Sequence, residues 1–206
     1  MRIVLATKNE GKVREIAQMM EGAGIEMLSL NHFAALPEIV EDGTTYLENA
    51  LKKARTVSEF LGETVLADDS GLQVDALGGE PGVYSARYAG EGATDEENNA
   101  KLLAKLKEVP GETRTASFFC ALVLYQPGGL YHCFEADWRG RIIDEGRGAN
   151  GFGYDPVFYL PEADQTMAQL PPEVKNQVSH RGRAARSALD VLREMLAAAE
   201  VTTSVR

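Results

Sequence analysis

The residues with the clearest chemical potential are two adjacent carboxylates, Asp68 and Asp69, which follow the apolar run Val65-Leu66-Ala67. The run predicts a strand, and carboxylates at the end of a buried strand are costly unless a positive charge lies beside them. A bound Mg²⁺ or Ca²⁺ would supply that charge, because both ions prefer hard oxygen ligands. Adjacent strand residues point to opposite faces, so one aspartate is expected to reach a given ion. We predict that Asp69 is the aspartate that reaches the ion, because it lies beside a turn at Ser70-Gly71. The alternative is a surface turn in which the aspartate serves only as a local cap.

A donor-rich turn is predicted near the start of the chain, between a short buried strand over residues 2–6 and a helix. Backbone N–H groups at the start of a helix can bind an anion. Thr7, Asn9 and Lys12 add side-chain donors there. The run is not a Walker loop, because Ala6 stands where that loop begins with glycine. Helix capping and phosphate binding both fit this pattern.

An acidic loop over residues 37–43 precedes a predicted helix that begins after Thr44 or Thr45 and ends at about Gly62. Lys52 and Lys53 are interpreted as solvated surface lysines, and a ligand role for Lys53 is the alternative. The residues predicted to share the buried face of this helix are Leu47, Ala50, Leu51, Ala54, Val57 and Leu61.

Two glycine-rich stretches contain aromatic residues, one over residues 77–92 and one over residues 146–156. The first predicts a long loop that is functional or mobile. In the second, Phe152 lies beside flexible backbone just before a predicted strand at 157–160. An aromatic ring in such a position can stack on a flat base, and it can equally anchor a structural turn.

The last motif is Ser179-His180-Arg181, at the start of a predicted helix with a buried Ala/Leu face. Ser179 is a good N-cap residue, so His180 and Arg181 are expected in the first turn. Backbone donors in a first turn also favour anions. Simple packing of His180 is the alternative.

Composition limits the partners that such a site can have. The chain has 206 residues, of which 44% are hydrophobic and 25% are charged, as in an ordinary globular protein. Its formal net charge of −10 argues against nucleic-acid and membrane partners, which require a basic face. A small anionic ligand remains compatible if a metal ion and a local group of Lys and Arg neutralise it.

The sequence has neither an apolar segment long enough to span a membrane nor a signal peptide, so a cytoplasmic location is predicted. Cys120 and Cys133 lie in strand-like segments and are predicted to be buried free thiols. Residues 113–125 and 130–138 predict a hairpin. Together with the strand–helix opening, the hairpin predicts an α/β fold with a mixed β-sheet and helices packed against it.

These segments jointly resemble one known family, the inosine triphosphate pyrophosphatases, also called XTP/dITP diphosphatases. The resemblance implies hydrolysis of ITP, dITP and XTP to the monophosphate and pyrophosphate, with Mg²⁺ as cofactor. It also implies a homodimer and a single domain over residues 1–206, in which a twisted sheet forms two lobes around a central nucleotide cleft. The matching motifs follow family order: Thr7-x-Asn9-x-x-Lys12, Glu48-Asn49-Ala50, Lys53-Ala54, Ala67 to Leu72, Gly79-x-Pro81-Gly82, Ser85 to Tyr88, Gly151 to Pro156 and Ser179-His180-Arg181.

The resemblance also assigns roles to individual residues. Glu41 and Asp69 are expected to hold Mg²⁺, and Asp69 to activate the attacking water as general base. Glu38, Asp42 and Asp68 remain alternatives for completing the metal site. The residues expected to bind the substrate are Thr7, Lys8, Asn9, Glu10, Gly11, Lys12 and Lys53 around the phosphates, Ser70, and Phe152, Gly153, Tyr154, Asp155, Lys175, His180 and Arg181 around the base and sugar.

Base selection requires donors for the 6-oxo group of hypoxanthine and xanthine, because adenine would leave such donors unpaired. Lys175 and the backbone N–H groups near Phe152-Gly153 are the donors we expect. Two other functions fit the same motifs: a pyrophosphatase for other modified nucleotides, and a regulator that binds a nucleotide without turnover.

Overall fold

The computed structural model describes residues 1–204, and the side chains of residues 1–199. Across those residues the helices and strands alternate along the first two thirds of the chain, and short 3₁₀ turns connect several of them. The elements are β1 (Arg2–Leu5), α1 (Glu10–Met20), β2 (Glu26–Ser29), α2 (Tyr46–Leu61), β3 (Val65–Val74), α3 (Asp95–Lys105), β4 (Thr115–Tyr125), β5 (Tyr131–Ile142), β6 (Phe158–Leu160), β7 (Gln165–Thr166), α4 (Pro172–Val178) and α5 (His180–Ser204).

The strands form one seven-stranded sheet in the order β2-β1-β3-β4-β5-β6-β7. Strand β1 runs parallel to both β2 and β3, with Leu5 opposite Leu66 in the β1–β3 pair. Strand β6 runs antiparallel to β5 and to β7. The sheet is therefore mixed, as the sequence predicted, and the α/β fold class is confirmed.

The chain divides into two compact units, and the division falls within β3, β4 and β5. The first unit comprises residues 1–69, 121–135 and 181 onward, and the second comprises residues 70–120 and 136–180. The expected single domain and nucleotide cleft stay predictions. The fully buried side chains of the first unit include Ile3, Leu5, Ile16, Met20, Leu66, Leu122 and Leu124.

The second unit has its own hydrophobic core, built on one face of its part of the sheet and on α3. Its largest fully buried side chain is Phe158 of β6, and Tyr154 in the preceding loop belongs to the same cluster. Other members of this cluster are Leu72, Val74, Tyr88, Leu102, Leu106, Trp138, Ile142 and Leu160.

Two predictions about the sheet are wrong, one for the end of a strand and one for the burial of a side chain. Strand β3 was expected to stop at Ser70-Gly71, but it continues to Val74 because Leu72 and Val74 are fully buried in the second core. The Leu72 N–H also donates to Ser85 Oγ at 2.9 Å, so the continuation is paired as well as packed. The second correction concerns Cys133, which is an exposed free thiol, whereas Cys120 is buried and free as predicted.

The predicted helices are confirmed with small changes at their ends. Thr45 caps α2 through a capping box with Glu48, and Gly62 ends the helix in a left-handed conformation at φ +68°. The sequence also predicts a frayed tail from about Ala199, but α5 continues to Ser204, and residues 205–206 lie outside the described part of the chain. Among the described residues, no helix has the length and apolar character needed to cross a membrane.

Candidate active site

Asp68 in β3 is fully buried and lies between two cations of the first unit. Its Oδ2 accepts a hydrogen bond from Arg181 Nε at 2.9 Å, and its Oδ1 pairs with the Lys12 ammonium. Arg181 also donates to Glu15 Oε2 at 2.6 Å. Although burial opposes ionisation, Arg181 and Lys12 hold the pKa of Asp68 well below its usual range. Asp68 is therefore an anion that fixes the position of Lys12 and Arg181.

Asp69 points to the opposite side of the strand, as the alternation of strand side chains requires. The Lys53 ammonium donates to Asp69 Oδ1 at 3.1 Å and to Glu41 Oε2 at 2.9 Å. Asn49 Nδ2 donates to the other oxygen of Asp69 at 3.3 Å. The two carboxylates predicted to bind a metal thus converge on one lysine, which is itself only 6% exposed.

The two carboxylates differ in their electrostatic surroundings. Burial is the largest influence on Asp69 and raises its pKa above the ordinary value, although Lys53 and Lys12 oppose this effect. Burial is also the largest single influence on Glu41 and acts to raise its pKa, but the charge and hydrogen bond of Lys53, the charge of Lys12 and a hydrogen bond with Asp69 together lower it. The surroundings therefore shift the pKa values of the two carboxylates in opposite directions.

The interpretation of Lys53 as a solvated lysine is wrong. The buried face of α2 includes Tyr46, Asn49 and Lys53 together with the predicted Ala50, Ala54 and Val57, so it is rotated from the predicted one. Asn49 belongs to the Glu48-Asn49-Ala50 motif, for which the sequence analysis predicts no role. It bonds Asp69 and also accepts the Gly43 N–H at 2.8 Å, which fixes the end of the acidic loop. Polar residues four apart on an apolar helix face were the signal that could have revealed both.

The turn before α1 is confirmed as a helix cap. Asn9 Oδ1 accepts the Lys12 N–H at 3.0 Å, and Thr7 Oγ1 accepts the Asn9 N–H at 3.1 Å. Glu10 is bonded elsewhere, since its carboxylate accepts Asn31 Nδ2 at 2.6 Å.

The first unit contains a cavity of about 840 Å³ next to this turn. Thr7 and Lys8 line it together with Glu41, Lys53 and much of the 30–39 segment. Backbone and side-chain donors, two cations and a carboxylate thus share one cavity, and this combination suits a polyanion that carries a metal ion.

In the second unit, the loop over residues 151–155 is organised around a buried ion pair. Asp155 Oδ2 pairs with the Lys175 ammonium and accepts the Phe152 N–H at 2.9 Å. The Lys175 ammonium lies 5.0 Å from the centre of the Phe152 ring. A Cβ at Gly151 would lie 1.9 Å from Asp155 Oδ2, and its φ of +77° also favours glycine, so this position excludes other residues.

The remaining predicted residues of the second unit have mixed environments. Tyr154 is packed in the core, and its hydroxyl donates to the Ser85 carbonyl at 2.8 Å, so this side chain anchors the loop. His180 begins α5, as predicted, and its buried ring stacks on Phe118 with centroids 4.9 Å apart. Ser70 is partly exposed on β3.

Comparison with known proteins decides which family has this arrangement. The model of the Ham1 family matches residues 3–191. This chain belongs to the Ham1 family. A dITP/XTP pyrophosphatase of Geobacter sulfurreducens is 56% identical over 183 residues, which are 89% of this chain and 92% of that relative. A dITP/XTP pyrophosphatase of Desulforamulus reducens is 49% identical and covers 98% of this chain and 100% of its own length.

Solved structures agree with the family assignment. A HAM1 protein from Coxiella burnetii has a TM-score of 0.85 and 41% identity, covering 94% of this chain and 99% of its own. A nucleoside-triphosphatase, or dITP/XTP pyrophosphatase, from Mycobacterium abscessus has a TM-score of 0.74 and 43% identity, covering 92% of this chain and 99% of its own. The resemblance inferred from the motifs is confirmed.

The Ham1-family chain divides its predicted site residues between the two units. The first unit brings together the Thr7–Lys12 turn, Glu41, Lys53, Asp69 and Arg181, and the second holds Ser70, the 152–155 loop, Lys175 and His180. Within the first unit, the sequence analysis missed two contacts to site residues. Asn49 bonds to Asp69, and Glu15 bonds to Arg181.

The donor set of the first unit fits Mg²⁺. Glu41 and Asp69 supply hard carboxylate oxygens that already meet at one cation, Lys53. Within the described side chains, no group of three or more His, Cys, Asp or Glu residues is arranged to hold an ion. Mg²⁺ is commonly bound by one or two carboxylates and completed by water and substrate phosphates, so a pair is sufficient.

Proposed function

We propose that this chain hydrolyses deaminated purine nucleoside triphosphates, namely ITP, dITP and XTP, to the monophosphate and pyrophosphate. The observation that carries the proposal is the convergence of Glu41 and Asp69 on Lys53, beside a cavity lined by Thr7 and Lys8. The relatives described as dITP/XTP pyrophosphatases support the same substrate class. A regulator that binds a nucleotide without turnover would have no need for a carboxylate that activates water, which is the role proposed for Asp69.

Asp69 is the general base in this proposal. It would accept a proton from the water whose oxygen attacks the α-phosphorus, while the bond to the β-phosphate oxygen breaks and pyrophosphate leaves. Asp68 is a poorer base because it is fully buried and both of its oxygens bond to cations. Lys12 and Lys53 would neutralise phosphate charge.

Glu41 and Asp69 would hold Mg²⁺, and Lys53 would keep the two carboxylates close together before the ion arrives. When bound, Mg²⁺ would polarise phosphoryl oxygens and neutralise part of the triphosphate charge. Asp42 is a weaker candidate ligand because its carboxylate is 66% exposed and pairs with Lys52 at the surface.

Base recognition would depend on Lys175. The backbone donors expected beside it are already used, because the Phe152 N–H donates to Asp155 and the Gly153 N–H donates to Asp95 Oδ2 at 2.6 Å. The expectation for these two backbone donors stays a prediction. The Lys175 ammonium, which has three donor hydrogens, would donate to the 6-oxo group, and the Phe152 ring beside it offers a stacking surface.

The test is pyrophosphate release from ITP, XTP, dITP, ATP and GTP, with Mg²⁺ and then with EDTA. We expect turnover of the three deaminated purines to exceed that of ATP by about 10²-fold or more, because the 6-amino group of adenine leaves the 6-oxo donor unpaired. We also expect it to exceed that of GTP, but guanine has the same 6-oxo group, so selection against GTP must act on its 2-amino group. We expect EDTA to abolish turnover. Inactivity with all five would favour the regulator or a different modified nucleotide, and equal turnover of all five would overturn the account of base selection.

We also propose that the protein is a homodimer that uses the start of β5. Leu130 is 61% exposed and Tyr131 is 46% exposed, which is unusual for large apolar side chains on a sheet. Tyr131 stacks on the buried Tyr125 ring with centroids 6.1 Å apart, which fixes the orientation of the exposed Tyr131 ring. The cytoplasmic location stays a prediction.

Light scattering after size-exclusion chromatography tests the dimer. We expect twice the chain mass for the unaltered protein and a monomer for Leu130→Glu/Tyr131→Glu, because two buried charges without partners oppose association. Phe60→Glu is the matched control, since Phe60 is 55% exposed on α2 and its replacement is expected to leave the dimer intact. A mass of one chain for the unaltered protein would refute the dimer.

A further inference from the structure

Two residues of α3 bond to the backbone of a single residue in the 151–155 loop. Asp95 Oδ2 accepts the Gly153 N–H at 2.6 Å, and Asn99 Nδ2 donates to the Gly153 carbonyl at 2.8 Å. Asp95 and Asn99 are four residues apart, so they lie on the same face of the helix. Both polar groups of the Gly153 peptide backbone are thus held from one rigid element.

The bonds to Gly153 also influence the position of the neighbouring Phe152. It follows Phe152, whose ring lies beside Lys175, and it adopts a left-handed conformation at φ +63°. Any rotation of the Gly153 backbone would move the Phe152 peptide and therefore the Phe152 ring.

Hydrogen bonds rather than close packing hold this part of the loop. A cavity of about 490 Å³ lies between α3 and the loop, and its lining includes Asp95, Asn99, Phe152 and Gly153. On the far side the loop has firm anchors, because Tyr154 bonds Ser85 and Asp155 pairs with Lys175. The Phe152 backbone bonds to Asp155 within the loop, and α3 adds the two bonds to the neighbouring Gly153.

Helix α3 is itself firmly fixed. A capping box between Thr94 and Glu97 starts it, and Asp95 is its first residue. Asn98, next to Asn99, accepts the Ala89 N–H at 2.8 Å and donates to the Ala86 carbonyl at 3.2 Å, which fastens the helix to the 82–92 segment. A helix secured in this way is a suitable support for a binding loop.

We propose that Asp95 and Asn99 are positioning residues. By holding the Gly153 backbone, they keep the neighbouring Phe152 ring in place beside Lys175 for base recognition. The proposal rests on the proposed function, because the loop is assigned to the base there. Positioning groups keep the binding side chains within a fraction of an ångström of the geometry that fits the ligand. Their loss is therefore expected to weaken discrimination between bases more than it affects the reaction at the α-phosphate.

The variants that test this are Asp95→Ala and Asn99→Asp. Alanine removes the acceptor for the Gly153 N–H, and aspartate at 99 replaces the donor with an oxygen that faces the Gly153 carbonyl. For each we expect KM for ITP to rise and the ITP-to-ATP ratio of kcat/KM to fall by about tenfold, as for the loss of one hydrogen bond to a charged group. We expect kcat for ITP to stay within about twofold of the unaltered enzyme.

Two further variants separate positioning from general effects on α3. Asp95→Asn keeps an acceptor oxygen and is expected to restore the unaltered ratio. Glu96→Ala removes an exposed acidic residue from the same helical turn and is expected to leave KM and the ratio unchanged. A drop in the ratio for Glu96→Ala as large as that for Asp95→Ala would overturn the proposal.

Amide hydrogen exchange at residues 152 and 153 provides a readout that does not depend on turnover. We expect Gly153 to exchange faster in Asp95→Ala and not in Asp95→Asn. If the unaltered enzyme fails to hydrolyse deaminated purines, the proposed function fails, whatever the exchange result. If that enzyme is active and exchange accelerates but KM and the ratio do not change, the bonds are structural only and the positioning proposal is refuted.

Discussion

The Asp69→Asn enzyme is expected to lose about 10²–10⁴-fold in kcat for ITP with Mg²⁺, which is the usual contribution of a general base. Asparagine has nearly the same shape, and its single carbonyl oxygen can still accept the hydrogen bond that Lys53 donates at 3.1 Å, although its NH2 group replaces the oxygen that accepts from Asn49 at 3.3 Å. It lacks the charge that would accept the water proton and bind the cation. The measurement is steady-state pyrophosphate release at saturating ITP.

Asp42→Asn is the matched control for this experiment. It also removes one negative charge near α2, but the Asp42 side chain is exposed and pairs with the surface residue Lys52. We expect its kcat to stay within about twofold of the unaltered enzyme, because surface charges of this kind contribute little. Full activity of Asp69→Asn, with a circular dichroism spectrum like that of the unaltered protein, would rule out the proposed mechanism.

Local sequence rules predicted much of the fold because the signals they use are short in range. The caps at Asn9 and Thr45 each involve residues three apart, and both are present. Strand alternation likewise assigned Asp68 and Asp69 to opposite sides, where they meet different partners.

The wrong predictions arose where a distant contact overrides a local preference. Ser70-Gly71 is a turn signal in isolation, but the core that buries Leu72 and Val74 keeps the strand extended. Lys53 is a surface residue by type, yet two carboxylates compensate for its burial.

The partners of the site residues could not be predicted at all from local patterns. Arg181 meets Asp68 across 113 residues of chain, and Asn99 meets Gly153 across 54. No periodicity or capping rule connects positions so far apart. The resemblance supplied the candidate site residues, and the structure supplies which of them touch.

The Asp68→Asn protein is expected to have a free energy of unfolding about 3 kcal/mol below that of the unaltered protein, as when one partner is removed from a buried ion pair. Asp68 is fully buried between Lys12 and Arg181, whose side chains are 14% and 3% exposed. Without the carboxylate, the two cations face each other with too little compensation, although Glu15 still bonds Arg181. Equilibrium urea unfolding measures the difference.

Glu59→Gln provides the comparison, because it also removes a carboxylate that faces an arginine, Arg55, but both side chains are more than half exposed. Its expected effect is within about 0.5 kcal/mol, since exposed pairs on a helix contribute little. Equal stabilities for Asp68→Asn and Glu59→Gln would show that water or Glu15 compensates the buried cations. The folded fraction of Asp68→Asn is still expected to bind ITP more weakly, because Asp68 pairs with Lys12, which we propose as a phosphate-binding cation.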